Sequence, residues 1–91
     1  MEITDLYDII LSRKANPKPG SYTNSLFDAG LPRIAQKVGE EGAEVVVAAL
    51  SQGKERLVEE IADLAYHVLV LMAAKGIAPA DVAGALEKRH K

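Results

Sequence analysis

The stretch from Lys37 to Ala74 limits what this chain can become more than any other. It holds two helical periods, K-V-G-E-E-G-A-E-V-V-V-A-A-L and E-R-L-V-E-E-I-A-D-L-A-Y-H-V-L-V-L-M-A-A, separated only by S-Q-G-K. Apolar residues recur in both at three- and four-residue spacings, the repeat of an amphipathic helix. Each period also carries a compact acidic patch: Glu40, Glu41 and Glu44 on the first, Glu59, Glu60 and Asp63 on the second. A linker this short folds the two helices back on each other, so the patches come to lie side by side.

The rest of the chain fits around such a hairpin. Thr4 is placed to cap a first helix running to about Lys14, with Leu6, Ile9 and Ile10 forming a modest apolar face. The run A-N-P-K-P-G-S-Y-T-N-S then reads as a loop, since two prolines, a glycine and several hydroxyl side chains leave no periodic pattern. Leu26 and Phe27 are expected to anchor its far end in the core. A second helix should open near Leu31, with Pro32 in its first turn, and run to about Gln52, with Gly53 as its stop. Gly39 and Gly42 fall inside it, at roughly 1 kcal/mol each relative to alanine, which suggests close approach of another backbone or a ligand, with simple tolerance of glycine as the competing explanation. The third helix is expected from about Glu55 to Lys75, ended by Gly76. A fourth opens at Pro79 and turns Val82 and Leu86 inward. Val45–Val47 is β-prone but lies within a helical period, so the expected class is all-α in a single domain over residues 1–91.

Composition narrows the function. A 91-residue chain buries only roughly 60–65% of its unfolded surface, so a lone monomer would be marginal. The absence of cysteine excludes disulfides and thiolate metal sites. A net charge of −2 gives no general attraction to nucleic acid or anionic membrane. The acidic N-terminus is unlike a signal peptide, and the run from Leu64 to Ala74 is too short to span a bilayer, so a cytoplasmic protein is expected.

On a helical wheel at about 100° per residue, Lys37, Glu41 and Glu44 share one stripe of their helix, and Glu40 is offset from it. On the next helix Glu59, Glu60 and Asp63 form a stripe that continues into His67, opposite a broad apolar arc. Carboxylates on neighbouring helices repel by on the order of 1 kcal/mol per close pair even in water. A fold tolerates this where a cation sits between them. A carboxylate set without cysteine favours hard ions, Mg²⁺ or Mn²⁺, which bind through a few carboxylates together with substrate phosphates. Solvated helix faces are the alternative reading of the same residues. A di-iron bundle is disfavoured, because Glu60 and Asp63 are followed by His67 at i+4 of the latter rather than forming Glu-x-x-His.

Glu41-x-x-Glu44 followed after 15 residues by Glu60-x-x-Asp63 resembles the E-x-x-E…E-x-x-D pattern of the MazG-like all-α nucleoside-triphosphate pyrophosphohydrolases. Within that superfamily, S-Y-T-N-S-L-F-D-A-G, K-V-G-E-E-G-A-E-V-V-V-A-A, E-E-I-A-D-L-A-Y-H-V-L-V-L-M and the ending D-V-A-G-A-L-E-K-R-H are similar to the phosphoribosyl-ATP pyrophosphohydrolase family. The resemblance covers nearly the whole chain and matches the stand-alone form rather than a fusion with a cyclohydrolase. It implies a bundle of four to five helices completed as a four-helix core in a homodimer. It also implies Mg²⁺-dependent hydrolysis of phosphoribosyl-ATP to phosphoribosyl-AMP and pyrophosphate, the second step of histidine biosynthesis. By the same resemblance Glu41, Glu44, Glu60 and Asp63 would hold the metal, and Glu40 would orient or deprotonate water or join them as a ligand. Lys37, Lys18 and Arg33 would meet phosphate charge. Ser21, Tyr22 and Thr23 would touch phosphate or ribose, and His67 would belong to the substrate site. A house-cleaning nucleotide pyrophosphohydrolase and a non-catalytic helical dimerisation module are the competing readings.

Overall fold

The computed structural model describes residues 1–90, and these form five α-helices with no strand among them: α1 (Ile3–Ala15), α2 (Tyr22–Ala29), α3 (Leu31–Ser51), α4 (Lys54–Lys75) and α5 (Pro79–Arg89). The all-α expectation holds. The long pair α3 and α4 makes the most extensive helix–helix contact, and α1 and α2 pack across its base. Tyr7 and Ile10 of α1, Leu26 of α2, Ile34 of α3 and Leu69, Val70, Met72 and Ala73 of α4 form the core.

Several local expectations are corrected. The first helix is capped at Glu2, not Thr4: the Glu2 backbone N–H donates to the Asp5 carboxylate at 2.9 Å, which satisfies one of the free donors at a helix start. The segment after Gly20 is a helix rather than loop. Ser21 Oγ accepts from the Asn24 N–H at 3.2 Å, and buried Asn24 in turn donates to the Arg13 carbonyl and accepts from the Lys18 N–H. Eight residues hold too little periodicity to announce a helix, and the prolines just upstream hide its start. Leu26 is buried and Phe27 packs against the core, as expected of the anchors.

The helix ends divide in kind. Gly76 closes α4 in the left-handed region (φ 70°), and Gly30 turns the chain between α2 and α3 at φ 96°, where a side chain would be strained. Gly53 is different: its φ of −78° makes it the N-cap of α4, and α3 ends in extended backbone at Gln52. Lys14, in the last turn of α1, donates to the Ala73 carbonyl at 2.9 Å, while the Tyr7 hydroxyl donates to the Ile77 carbonyl at 2.6 Å. Both tie α1 to the C-terminal end of α4. Helix α5 buries no residue, and Val82 and Leu86, expected inward, are 43% and 53% exposed.

A Cβ added at Gly39 or Gly42 meets nothing within 4 Å among the described residues, so no backbone within the chain requires these glycines. Gly39→Ala should therefore stabilise the protein by about 0.5–1 kcal/mol, as the helical propensity difference dictates. Thermal melting checks this; a lowered midpoint would mean that another surface closes on this face in solution.

Candidate active site

The hairpin brings carboxylates from both helices to one place. One oxygen from each of Glu41, Glu60 and Asp63 lies within 4.8 Å of the others. Glu41 and Glu60 are 7% and 3% exposed, while Asp63 is open to solvent. Glu44, one turn beyond Glu41, is exposed and lies outside this triad. Three carboxylates at such separations repel by roughly 1–3 kcal/mol per pair over the range between water and a protein surface.

The two buried acids are served alike. Lys37 Nζ lies 3.3 Å from Glu41 Oε1, and Arg56 Nη2 lies 2.7 Å from Glu60 Oε1. Each cation stands four residues before its partner on the same helix, the less favourable order for such a pair on an isolated helix. In both acids Oε2 is buried without a hydrogen-bond partner among the described residues. Burying an unpaired carboxylate oxygen is strongly unfavourable, so two of them beside a third carboxylate suit a cation. An all-oxygen donor set of this kind matches a hard divalent ion.

The remaining sequence candidates sort themselves around the triad. Glu40 lies at its edge, accepting from Gln36 Nε2 at 3.1 Å and facing Lys37 at 3.6 Å and Arg33 at 3.8 Å. Burial alone would lower the affinity of the Lys37 ammonium for its proton. The hydrogen bond to Glu41 and the fields of Tyr22, Glu41 and Glu40 outweigh it and raise the pKa above the ordinary lysine value. Lys37 is thus a full cation across the neutral range. Its contribution to stability is complete below the ordinary lysine pKa and is lost only as pH rises through the raised one.

The S-Y-T run contributes structure first. Ser21 caps α2, the Thr23 hydroxyl is hydrogen-bonded to the Tyr66 hydroxyl, and the Tyr22 hydroxyl meets His67 Nε2 at 3.0 Å. His67 is buried, and its Nδ1 lies 2.7 Å from the Asp63 carbonyl oxygen, so both ring nitrogens are engaged within the chain. The Lys18 side chain is exposed on the loop before α2. Arg56 escaped the sequence reading; the signal was present as R-x-x-x-E, the counterpart of K-x-x-x-E on the preceding helix.

The model of the family described as phosphoribosyl-ATP pyrophosphohydrolase matches residues 3–90. A phosphoribosyl-ATP pyrophosphatase of Sulfurisphaera tokodaii is 56% identical over 86 residues, covering 94% of this chain and 92% of that protein. One of Pyrobaculum calidifontis is 55% identical over 86 residues, with the same coverage of 94% and 92%. A histidine biosynthesis bifunctional protein of Caldanaerobacter subterraneus is 46% identical over 89 residues, 98% of this chain and 43% of that longer protein. With the match running through all five helices and both acidic stripes, the chain belongs to the phosphoribosyl-ATP pyrophosphohydrolase family.

Proposed function

We propose that the protein hydrolyses the α–β phosphoanhydride of phosphoribosyl-ATP, releasing phosphoribosyl-AMP and pyrophosphate, in histidine biosynthesis. The observation that carries this reading is the pair of orphaned buried carboxylate oxygens, Glu41 Oε2 and Glu60 Oε2, in a chain of this family. Glu41, Glu60 and Asp63, joined by Glu44 from the adjacent turn, would hold Mg²⁺ or Mn²⁺. Such an ion supplies Lewis-acid stabilisation of the charge that builds on the phosphate oxygens.

The chain's own groups supply the rest. Lys37 and Arg33, with Lys18 from the loop, present positive charge to the non-bridging oxygens and to the departing pyrophosphate. Glu40, in contact with Gln36, Lys37 and Arg33, would orient the water that attacks at the α–β anhydride and receive its proton. Ser21 and Thr23 keep the N-terminus of α2 beside these groups, and Tyr22 faces the substrate.

A homodimer belongs to the same reading. The accessible surface is 6246 Å², against about 5,100 Å² for a compact monomer of this mass. The radius of gyration is 14.2 Å, where about 12 Å is typical of 91 residues. The excess is comparable to the roughly 800 Å² per partner of an ordinary interface. Much of it is apolar: Ile3, Ile61, Leu64, Val68, Val82 and Leu86 line a groove between α4, α5 and the start of α1. A second copy is the occupant we assign to this groove, because the uncovered area is of the size that one partner contributes to an ordinary interface.

Three outcomes check the reading. Pyrophosphate should be released from phosphoribosyl-ATP only with Mg²⁺ or Mn²⁺, and not from ATP or dUTP; release mainly from the last two would reassign the enzyme to nucleotide house-cleaning. Asp63→Asn should lower turnover by on the order of 10² to 10³-fold with the circular dichroism spectrum unchanged. It should also abolish the rise in melting temperature that Mg²⁺ gives the wild type. In light scattering the mass should be twice 9.7 kDa, and Ile61→Glu should reduce it towards the monomer; a monomeric wild type overturns the dimer.

A further inference from the structure

The contacts between α2 and α4 have a use that capping and packing do not account for. A backbone carbonyl can only accept, so the 2.7 Å contact between His67 Nδ1 and the Asp63 carbonyl fixes the proton on Nδ1. With that proton on Nδ1, Nε2 is left to offer its lone pair to the Tyr22 hydroxyl, 3.0 Å away. The Tyr22 ring is also stacked on Tyr66, with centroids 6.2 Å apart and planes 27° from parallel. Tyr66 is itself held by its hydroxyl against Thr23 and packs edge-on to His67 at 5.0 Å. Tyr22 is nevertheless 51% exposed.

An exposed aromatic ring gripped at its hydroxyl and backed on one face has lost its rotational freedom without being buried. Its location is specific. Through His67, which stands one turn from Asp63 on α4, Tyr22 is held beside the turn that bears Asp63.

We propose that His67 is a positioning residue for the reaction: by linking the Asp63 carbonyl to the Tyr22 hydroxyl it sets the Tyr22 ring beside the acidic triad, where the free face of that ring stacks on the base of a purine nucleotide. This rests on the pyrophosphohydrolase reading and deepens it. The triad and its cations handle polyphosphate, which every nucleoside triphosphate shares, whereas an oriented π-face engages the nucleoside. His67 thereby acts on substrate through Tyr22, with both of its nitrogens committed to the chain.

The test is steady-state pyrophosphate release by the full chain and by Tyr22→Phe, His67→Asn and Tyr22→Leu. Tyr22→Phe keeps the ring and drops the hydrogen bond, while His67→Asn keeps a donor near the Asp63 carbonyl and drops the acceptor for Tyr22. Each should raise KM for phosphoribosyl-ATP by about ten-fold with kcat within about two-fold, as loss of one oriented contact requires. The double variant should be no worse than either single one, because both remove the same link. Tyr22→Leu, which removes the ring, should raise KM at least as much. Inhibition by inorganic tripolyphosphate, which has no base, should be unchanged in all of them. An active wild type whose Tyr22→Phe and His67→Asn forms share its KM overturns the proposal alone. Equal weakening of tripolyphosphate also overturns it, since the link would then serve the phosphate site. A wild type that releases no pyrophosphate overturns the pyrophosphohydrolase reading and the proposal with it.

Discussion

Everything about this protein depends on holding two carboxylates of like charge out of water and close together. Glu41 on α3 and Glu60 on α4 face a common space at the hairpin, each with one oxygen engaged by a cation four residues earlier and the other left bare. Full pairing of both oxygens would make a structural salt bridge with nothing to offer a ligand. No pairing at all would force the acids to protonate or the hairpin to open. Half-pairing keeps the acids buried yet leaves one bare carboxylate oxygen on each for a ligand. The order of the charges, cation before acid, opposes what an isolated helix would choose. Local helix stability therefore does not explain it.

A strained pocket needs support from elsewhere. The α3–α4 hairpin is braced by α1, whose Lys14 and Tyr7 bind carbonyls at the C-terminal end of α4, and by α2, which reaches α4 through Tyr22 and Thr23. Buried Asn24 holds the loop before α2 by donating to the Arg13 carbonyl in α1 and accepting from the Lys18 N–H within the loop. These are side-chain bonds over long stretches of sequence. Each removes freedom from a segment whose apolar content is too small to order it by burial alone.

What was legible in the sequence follows from the range of the forces involved. The two long helices, the Pro32 start and the Gly76 stop are written in periodicity and local backbone chemistry, and the acidic triad follows once those helices fold into a hairpin. The family pattern was legible for the same reason, since it is carried by fixed spacings on these helices. Helix α2 was not, because its order comes from Asn24, Tyr66 and His67, partners that lie outside it or that a short window cannot assign. The partners of His67 were hidden likewise: the family pattern places it at the substrate site, and only the fold shows that both its nitrogens are used within the chain. Glu44 shows the converse, matching the spacing pattern yet standing outside the triad that Glu41, Glu60 and Asp63 form.

Along α4 the demands of stability and chemistry are kept apart. Its C-terminal half buries Leu69, Val70, Met72 and Ala73 in the core, whereas its N-terminal half carries Glu60 and Asp63 and leaves Val58 and Ile61 exposed. The core cannot extend under the carboxylates without dehydrating Asp63 as well, and a third buried charge would cost several kcal/mol more. Among the described residues no further helix covers the apolar residues stranded beside the site. The same separation that keeps the pocket charged thus leaves an apolar face uncovered. Acidic site and uncovered apolar face are two consequences of one constraint on where α4 can be buried.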